Sequence, residues 1–433
     1  MQRALAFAIL VLSAMPAIVA ADATFESHAQ ATYVRQFKPG FRSPYEGVNS
    51  LRGARDASYT FSGTLFFGTR LASGTELYFN PEAIQANPFS GLHGVGGFTN
   101  GEFQRGAGAT LKAYRARLFL RHAWNISGEV EDQDSEQNQV RTRYSVERLV
   151  LTAGNISVLD VFDALDYSRD ARTQFMNWSS LTYGAWDYPA DARGYTWGAA
   201  IEYVTPGWQA RAGRFLVPVE SNGLRLDQRF AQRYGDVAEL ELPYQFAGRP
   251  AIARALVFRN RAQAGAFGDA IALGVATVTV PDLTQVRRPQ SKSGFGLGTQ
   301  VEIMPALGAY ARAGWSDGKT ETFMFTEIDR SLAAGAVVKG AGWGRPQDSF
   351  GIAAYFNGLS RPHRDYLAAG GQAFFLGDGR LNYAVERIVE TYYSLNVSRG
   401  AWLSVGFQRF ANPGYNRDRG PASFLGLRVH AEI

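Results

Sequence analysis

From about residue 25 to the end of the chain, apolar and polar side chains alternate with a period of two, in short segments separated by turn residues. In residues 57–70, Tyr59, Phe61, Gly63, Leu65 and Phe67 share one face, and Thr60, Ser62 and Thr64 the other. In residues 236–246, Ala238, Leu240, Leu242, Tyr244 and Phe246 oppose Glu239, Glu241 and Gln245. Residues 294–315 read as a hairpin. Phe295, Leu297, Thr299, Val301 and Ile303 are followed, after a turn at 304–306, by Leu307, Ala309, Ala311, Ala313 and Trp315 on the same side. Alternation of this kind predicts half-buried strands. Roughly 16 to 18 such segments can be marked, within the size range of closed membrane barrels. Irregular stretches at about 81–108, 155–194, 218–235 and 358–379 predict long loops.

Two features favour a membrane barrel over a soluble sandwich. Apolar faces carry aromatics at their ends: Tyr59 with Phe67, Tyr195 with Tyr203, and Tyr244 with Phe246. Such ends suit two lipid–water interfaces. The opposite faces carry many charges, which suit a wet lumen. A closed barrel also leaves no backbone group unpaired in hydrocarbon. The expectation is an all-β transmembrane antiparallel barrel of 16 strands, with 18 as the alternative. Residues 22–433 form its one domain, a loop folds into its lumen, and the strand at 26–36 closes against 425–433.

Residues 1–21 break the pattern. Arg3 precedes an apolar run at 4–12 and a small-residue stretch at 14–21, with Val19 and Ala21 placed for cleavage. This reads as a secretory signal peptide, because the run is too short to span a bilayer. The remaining chain has no apolar run near the roughly 20 residues a spanning helix needs. Composition agrees with strands and girdles, at 47 Gly, 20 Tyr and 29 Phe. The absence of cysteine excludes thiol catalysis and thiolate metal sites. A formal charge of +5 without any basic run argues against a nucleic-acid partner.

Several stretches resemble the carbohydrate-selective porin family (OprB type) of Gram-negative outer membranes. They are "GVGGFTNGEFQR" from Gly94, "YRARLFLRHAW" from Tyr114, "NISVLDVFDALDYSRDARTQFMNW" from Asn155, "GAWDYPADARGYTWGAA" from Gly184, "GWGRPQDSFG" from Gly342, "GDGRLNYAVERIVETYY" from Gly377 and "NPGYNRDRGP" from Asn412. They occur in the family's order and cover almost all of the chain after residue 21. The resemblance implies an outer-membrane channel for passive diffusion of mono- or oligosaccharides, in contact with outer-membrane lipid and without a cofactor. Whether it works as a monomer or a homotrimer stays open. One departure is the terminal Ile433, where outer-membrane barrels commonly end in Phe.

Within that frame, Arg115, Arg117 and Arg121 alternate along residues 112–124 and predict a basic stretch of lumen wall, joined by Arg148. Guanidinium groups offer planar paired donors that suit sugar hydroxyls. The bland reading is that they pair with carboxylates across the wall. In the long segment 155–180, Asp163, Asp170, Arg172, Gln174, Asn177 and Trp178 are candidates for a loop that narrows the pore. Trp178 and Trp186 could stack on a sugar ring, although most Trp in a barrel pack or form girdles. Arginines that only concentrate anions define the alternative of an anion-selective or general porin. An outer-membrane polysaccharide-processing enzyme is the less favoured alternative. No GxSxG elbow is present, the five histidines lack metal-ligand spacing, and no carboxylate pair stands out. The stretch at 91–101 lacks GxGxxG spacing, and "GWSDGKT" from Gly314 has one residue too few for a phosphate loop.

Overall fold

The computed structural model describes residues 25–433 except Ala107 and Thr326, so the signal-peptide reading of 1–21 lies outside the described residues. The strands are β1 (Phe25–Lys38), β2 (Asp56–Ala72), β3 (Thr75–Asn87), β4 (Lys112–Asn125), β5 (Val130–Gln133), β6 (Thr142–Ser145), β7 (Arg148–Ile156), β8 (Thr196–Val204) and β9 (Gln209–Phe215). They continue as β10 (Tyr234–Phe246), β11 (Arg249–Ala264), β12 (Arg288–Met304), β13 (Leu307–Ser316), β14 (Arg330–Lys339), β15 (Ser349–Gly358), β16 (Glu386–Ser398), β17 (Ala401–Ala411) and β18 (Ala422–Glu432). Sixteen of them close an antiparallel barrel, and β5 with β6 forms a separate two-stranded sheet. The expected 16-strand wall is what forms, and the alternative of an 18-stranded wall is excluded because β5 and β6 pair only with each other. Two short helices, α1 (Phe267–Thr277) and α2 (Arg361–Ala368), lie in long loops.

The barrel closes where the alternation predicted. β1 pairs with β18 from Gln30–Glu432 to Phe37–Leu425. The hairpin of β12 and β13 pairs Phe295 with Trp315, their rings 5.7 Å apart. The burial pattern is that of a protein turned inside out. Outward Val257 is 57% exposed, whereas inward Arg312 is 2% exposed. Only a lipid surround makes the first favourable, and only dense polar partnering inside makes the second tolerable.

Four of the wall's connections are two-residue turns (73–74, 247–248, 305–306 and 399–400), and they lie at the same end as both described termini. The other end carries the long loops 39–55, 88–111, 157–195, 216–233, 265–287, 317–329, 359–385 and 412–421. The β5–β6 hairpin, by contrast, belongs to the short-turn end. There Arg121 donates to the Asn138 carbonyl (3.0 Å), and the Val140 N–H donates to the Tyr78 hydroxyl (3.1 Å).

Three sequence expectations need correction. The loop expected from residue 81 begins only after Asn87, because Pro81 lies within β3. Tyr195 is not on an outer face; it is buried, and its hydroxyl donates to Glu82 (3.2 Å). Tyr244 and Phe246 both sit at the short-turn end, one girdle rather than two.

The fourth correction concerns Arg115. Proline has no N–H to give to the ladder. Opposite the Asn80–Pro81 step, β4 holds one extra residue: Asn80 pairs with Arg117 but Pro81 pairs with Arg115. This β-bulge at Ala116 shifts the phase of the strand. Tyr114 therefore points inward toward Glu82, and Arg115 points outward, 5.1 Å above the exposed Trp197 ring. Strict alternation would have put Arg115 in the lumen.

Candidate functional site

Residues 157–195 enter the barrel from the long-loop end and cross its interior. Backbone donors in such a segment have no strand to pair with, and burying them unpaired is costly. Carboxylates from the wall supply the acceptors. Glu390 on β16 receives the N–H of Met176 (2.7 Å) and of Asn177 (3.2 Å). Glu239 on β10 receives that of Asp163 (2.8 Å). The neighbouring glycine-rich loop uses the same device. The N–H groups of Gly96 and Gly97 donate to Glu386 (3.1 and 2.8 Å), and a Cβ at Gly96 would overlap the Tyr415 hydroxyl. Close backbone approach, not phosphate binding, accounts for the glycines there.

Arginines tie the loop from other sides. Arg117 donates Nε and Nη2 to Asp160, each at 2.7 Å. Burial works against the charge on Asp160, but Arg117 outweighs it and holds the carboxyl below its ordinary range. Asp163 meets Arg312 of β13 at 3.0 Å and accepts from the Thr182 hydroxyl at 2.8 Å. Arg172 donates to Glu82 (2.7 Å), Glu102 (2.9 Å) and the Thr64 hydroxyl (3.1 Å). Arg428 of β18 donates to the carbonyls of Ala171 (2.9 Å), Gln174 (2.6 Å) and Thr173 (2.9 Å), with its buried Nε left unpartnered. Charged pairs buried this well are strong only when every lone pair and proton is used, and most here are.

Below the crossing loop, toward the short turns, an open space of about 640 Å³ remains. Asp170, Arg172 and Thr173 form its roof, and Ser135 and Gln137 of the β5–β6 connection border it from below. The wall adds His28, Gln30, Trp402, Arg428, His430 and Glu432. Thr32 and His430 are linked at 2.7 Å, and Trp402 lies 5.8 Å from the His430 ring. Asp170 accepts from the Arg172 N–H (2.9 Å) and the Thr173 hydroxyl (3.2 Å). Burial opposes its ionisation, yet Arg172, His430 and Arg428 keep its carboxyl below the ordinary range.

The residues expected at the site thus separate into three groups. Asp170 and Arg172 border the open space, Arg172 with its guanidinium tied to Glu82 and Glu102; Gln174 instead borders a second cleft with Tyr167 and Glu302, its side-chain carbonyl oxygen accepting from the Arg169 N–H (2.8 Å). Arg117, Arg121, Arg148, Asp163 and Asn177 point inward but are committed to protein. Arg148 meets Glu131 at 2.8 Å, and Asn177 donates to Gln408 (3.0 Å) and receives the Ser179 N–H (2.9 Å). Arg115 and Trp178 leave the site altogether. Trp178 is buried between Tyr188 (6.0 Å, stacked) and Phe325 (4.9 Å), and Trp186 is buried as well, so neither offers a face to a sugar. Sequence reasoning missed Trp402, Arg428 and His430. The alternation of 425–433 puts Arg428, His430 and Glu432 on one inward face, which was the available signal.

A model of the carbohydrate-selective porin family, OprB, matches residues 49–432. Among solved structures, the high-pH structure of Pseudomonas putida OprB superposes with a TM-score of 0.69 at 14% identity, covering 95% of this chain and 94% of that one. The low-pH structure of the same protein gives 0.51 at 11% identity, covering 95% and 93%. The outer membrane channel DcaP of Acinetobacter baumannii gives 0.54 at 9% identity, covering 96% and 100%. No curated protein matches the chain in sequence.

Proposed function

Because the chain belongs to the OprB family of carbohydrate-selective porins, and so is an outer-membrane channel for carbohydrate diffusion, we propose that small neutral mono- and oligosaccharides pass through the space beneath the crossing loop. In this reading Asp170, Arg172, Arg428, His430 and Trp402 line their path. Residues 1–21 direct export and are removed, and 22–433 form one barrel domain with its short turns in the periplasm.

The observation that carries the reading is charge compensation. Arg117, Arg148, Arg172, Arg211 and Arg312 all face inward, and each meets a carboxylate within 3.0 Å. With most inward arginines paired in this way, and Arg121 and Arg428 donating to carbonyls instead, the wall presents many donors and acceptors but little net field. That suits hydroxyl-rich neutral solutes better than anions, which need an excess of one sign. The contacts exchange water hydrogen bonds for protein ones of similar strength, so solute leaves as readily as it enters.

The test is uptake into liposomes carrying the purified protein, across a size series of neutral sugars and matched sugar acids. Neutral sugars are expected to enter faster than acids of equal size. Entry no faster than into empty liposomes defeats the proposal, and preference for the acids replaces it with an anion channel.

A further inference from the structure

The outer wall carries a second built feature. Where β8 to β11 cross the hydrocarbon, the outward positions are unusually small. Ala199, Ala212 and Ala238 form the floor of a trough, between Leu151 and Ile201 on one side and Val257 on the other. The register makes it continuous: Ile201 pairs with Ala212, Ala212 with Ala238, and Ala238 with Val257.

The next outward row toward the long-loop end is charged. Arg214 pairs with Asp236, and Asp236 with Arg259. Arg214 grips Asp236 through two bonds of 2.6 and 2.7 Å, which neutralises the carboxylate. Arg259 and Arg261 are exposed, and neither has a carboxylate partner among the described residues. Their Cα atoms are about 7 Å apart on one face of β11, a spacing that two long guanidinium side chains can close on one phosphate. Arg233 adds a third cation at the same rim. It is buried, and its Nε has no partner. Burial, the neighbouring Arg229 and Arg261 lower its pKa from the ordinary value, while Asp227 works the other way. Among other outward arginines at this end, Arg115 lies over Trp197, Arg330 over Trp315, and Arg409 donates to Ser423 (2.6 Å), while Arg35 and Arg387 are exposed but have no second arginine two residues away on their strand.

We propose that this patch binds a phosphate-bearing lipid of the outer leaflet, with its phosphate between Arg259 and Arg261 and one acyl chain in the alanine trough beneath. Charge complementarity selects the headgroup, because uncompensated cations at a membrane surface attract anionic lipid. The trough selects a lipid over a free anion, because a straight chain fills a groove that would otherwise pack poorly against disordered neighbours. The site lies on the opposite face of the wall from the sugar path and is independent of it.

The test uses the purified full-length protein in neutral detergent, titrated with bis-phosphorylated lipid A, with the same lipid after phosphate removal, and with inorganic phosphate, bound lipid being read by native mass spectrometry. The phosphorylated lipid is expected to bind far better than the other two. Arg259→Gln/Arg261→Gln should weaken it roughly 30-fold, and Arg259→Lys/Arg261→Lys should retain most of the binding. Ala212→Phe, which fills the trough, should also lower retention. Sugar uptake should be unchanged in all three variants, which reports a folded barrel. Equal binding of the dephosphorylated lipid, competition by inorganic phosphate at the lipid's own concentration, or unaltered binding by Arg259→Gln/Arg261→Gln overturns the proposal.

Discussion

Replacing Arg172 by methionine would test how the crossing loop is held. The Arg172 side chain is 7% exposed and lies between Glu82 and Glu102, themselves 0% and 7% exposed. Methionine keeps much of the volume and removes the charge. Glu82 would keep the hydroxyls of Thr64 (2.7 Å), Tyr114 and Tyr195 and a distant Arg105 at 3.9 Å, and Glu102 would keep Arg105 at 3.6 Å. The hydroxyls are neutral and Arg105 is distant, so no close countercharge replaces the guanidinium bonds of 2.7 and 2.9 Å that are lost. Stranding a buried charge in this way costs about 3–5 kcal/mol. The loop's other ties, at Asp160, Asp163 and the Met176 and Asn177 N–H groups, lie on either side and remain, and of the ties within residues 170–174 only the neutral carbonyl bonds from Arg428 are left. The cost therefore falls on residues 170–174, where local opening needs less than global unfolding. Opening should become roughly 100- to 1,000-fold or more frequent. Single-channel recordings in planar bilayers should show larger and noisier conductance, and liposomes should admit longer sugars. Arg172→Met/Glu82→Gln/Glu102→Gln removes the stranded charges and should recover much of the closed behaviour. Wild-type conductance in the single variant would show that Arg172 does not hold the loop, and a triple variant as open as the single one would show that stranded charge is not the cause.

Other consequences are equally open to measurement. Burial pushes the Glu327 carboxyl up to about 7, against His363 and the N–H groups of Phe375 and Phe374. Between its ordinary 4.5 and about 7 the folded protein holds a proton that the unfolded chain has lost, so this group's contribution to stability falls as pH rises through that window and is level above it. Glu327→Gln should thus gain stability over the wild type with rising pH, by at most about 3 kcal/mol, seen as a melting difference larger at pH 8 than at pH 4.5. Gly96→Ala forces a methyl group against the Tyr415 hydroxyl and should cost about 1–3 kcal/mol, read as a lowered melting temperature. Arg115→Ala should leave sugar flux unaltered, because the side chain lies outside the wall; a large loss of flux would return it to the lumen. Arg428→Met releases three loop carbonyls and should widen the size range of permeating sugars in the same liposome assay.

The candidate site was only partly legible in the sequence. Inward and outward faces follow from alternation, so Arg117, Arg121 and Arg148 were placed correctly on their strands. Arg115 was not, since one proline on the neighbouring strand inserted a residue and reversed the phase. Trp178 could not be assigned at all: a tryptophan in a long loop reads the same whether it packs on Tyr188 and Phe325 or faces water. Glu386 and Glu390 also went unnoticed as anchors. Nothing local marks a carboxylate as the acceptor for N–H groups 200 or more residues away in the chain.

What the sequence determined by itself is the two-faced wall. Period-two alternation, aromatics at strand ends and charges on the opposite face leave a closed barrel as the one arrangement that satisfies every backbone group in lipid. Its closure between β1 and β18 follows, because each first and last strand needs a partner. Which inward side chains remain free to meet a solute is settled only once the chain is folded. That depends on where the loop at 157–195 lies, and its position is set by bonds to β3, β10, β13, β16 and β18 at once. Contacts so distant in the chain leave no periodic trace, whereas strand faces are settled between neighbours.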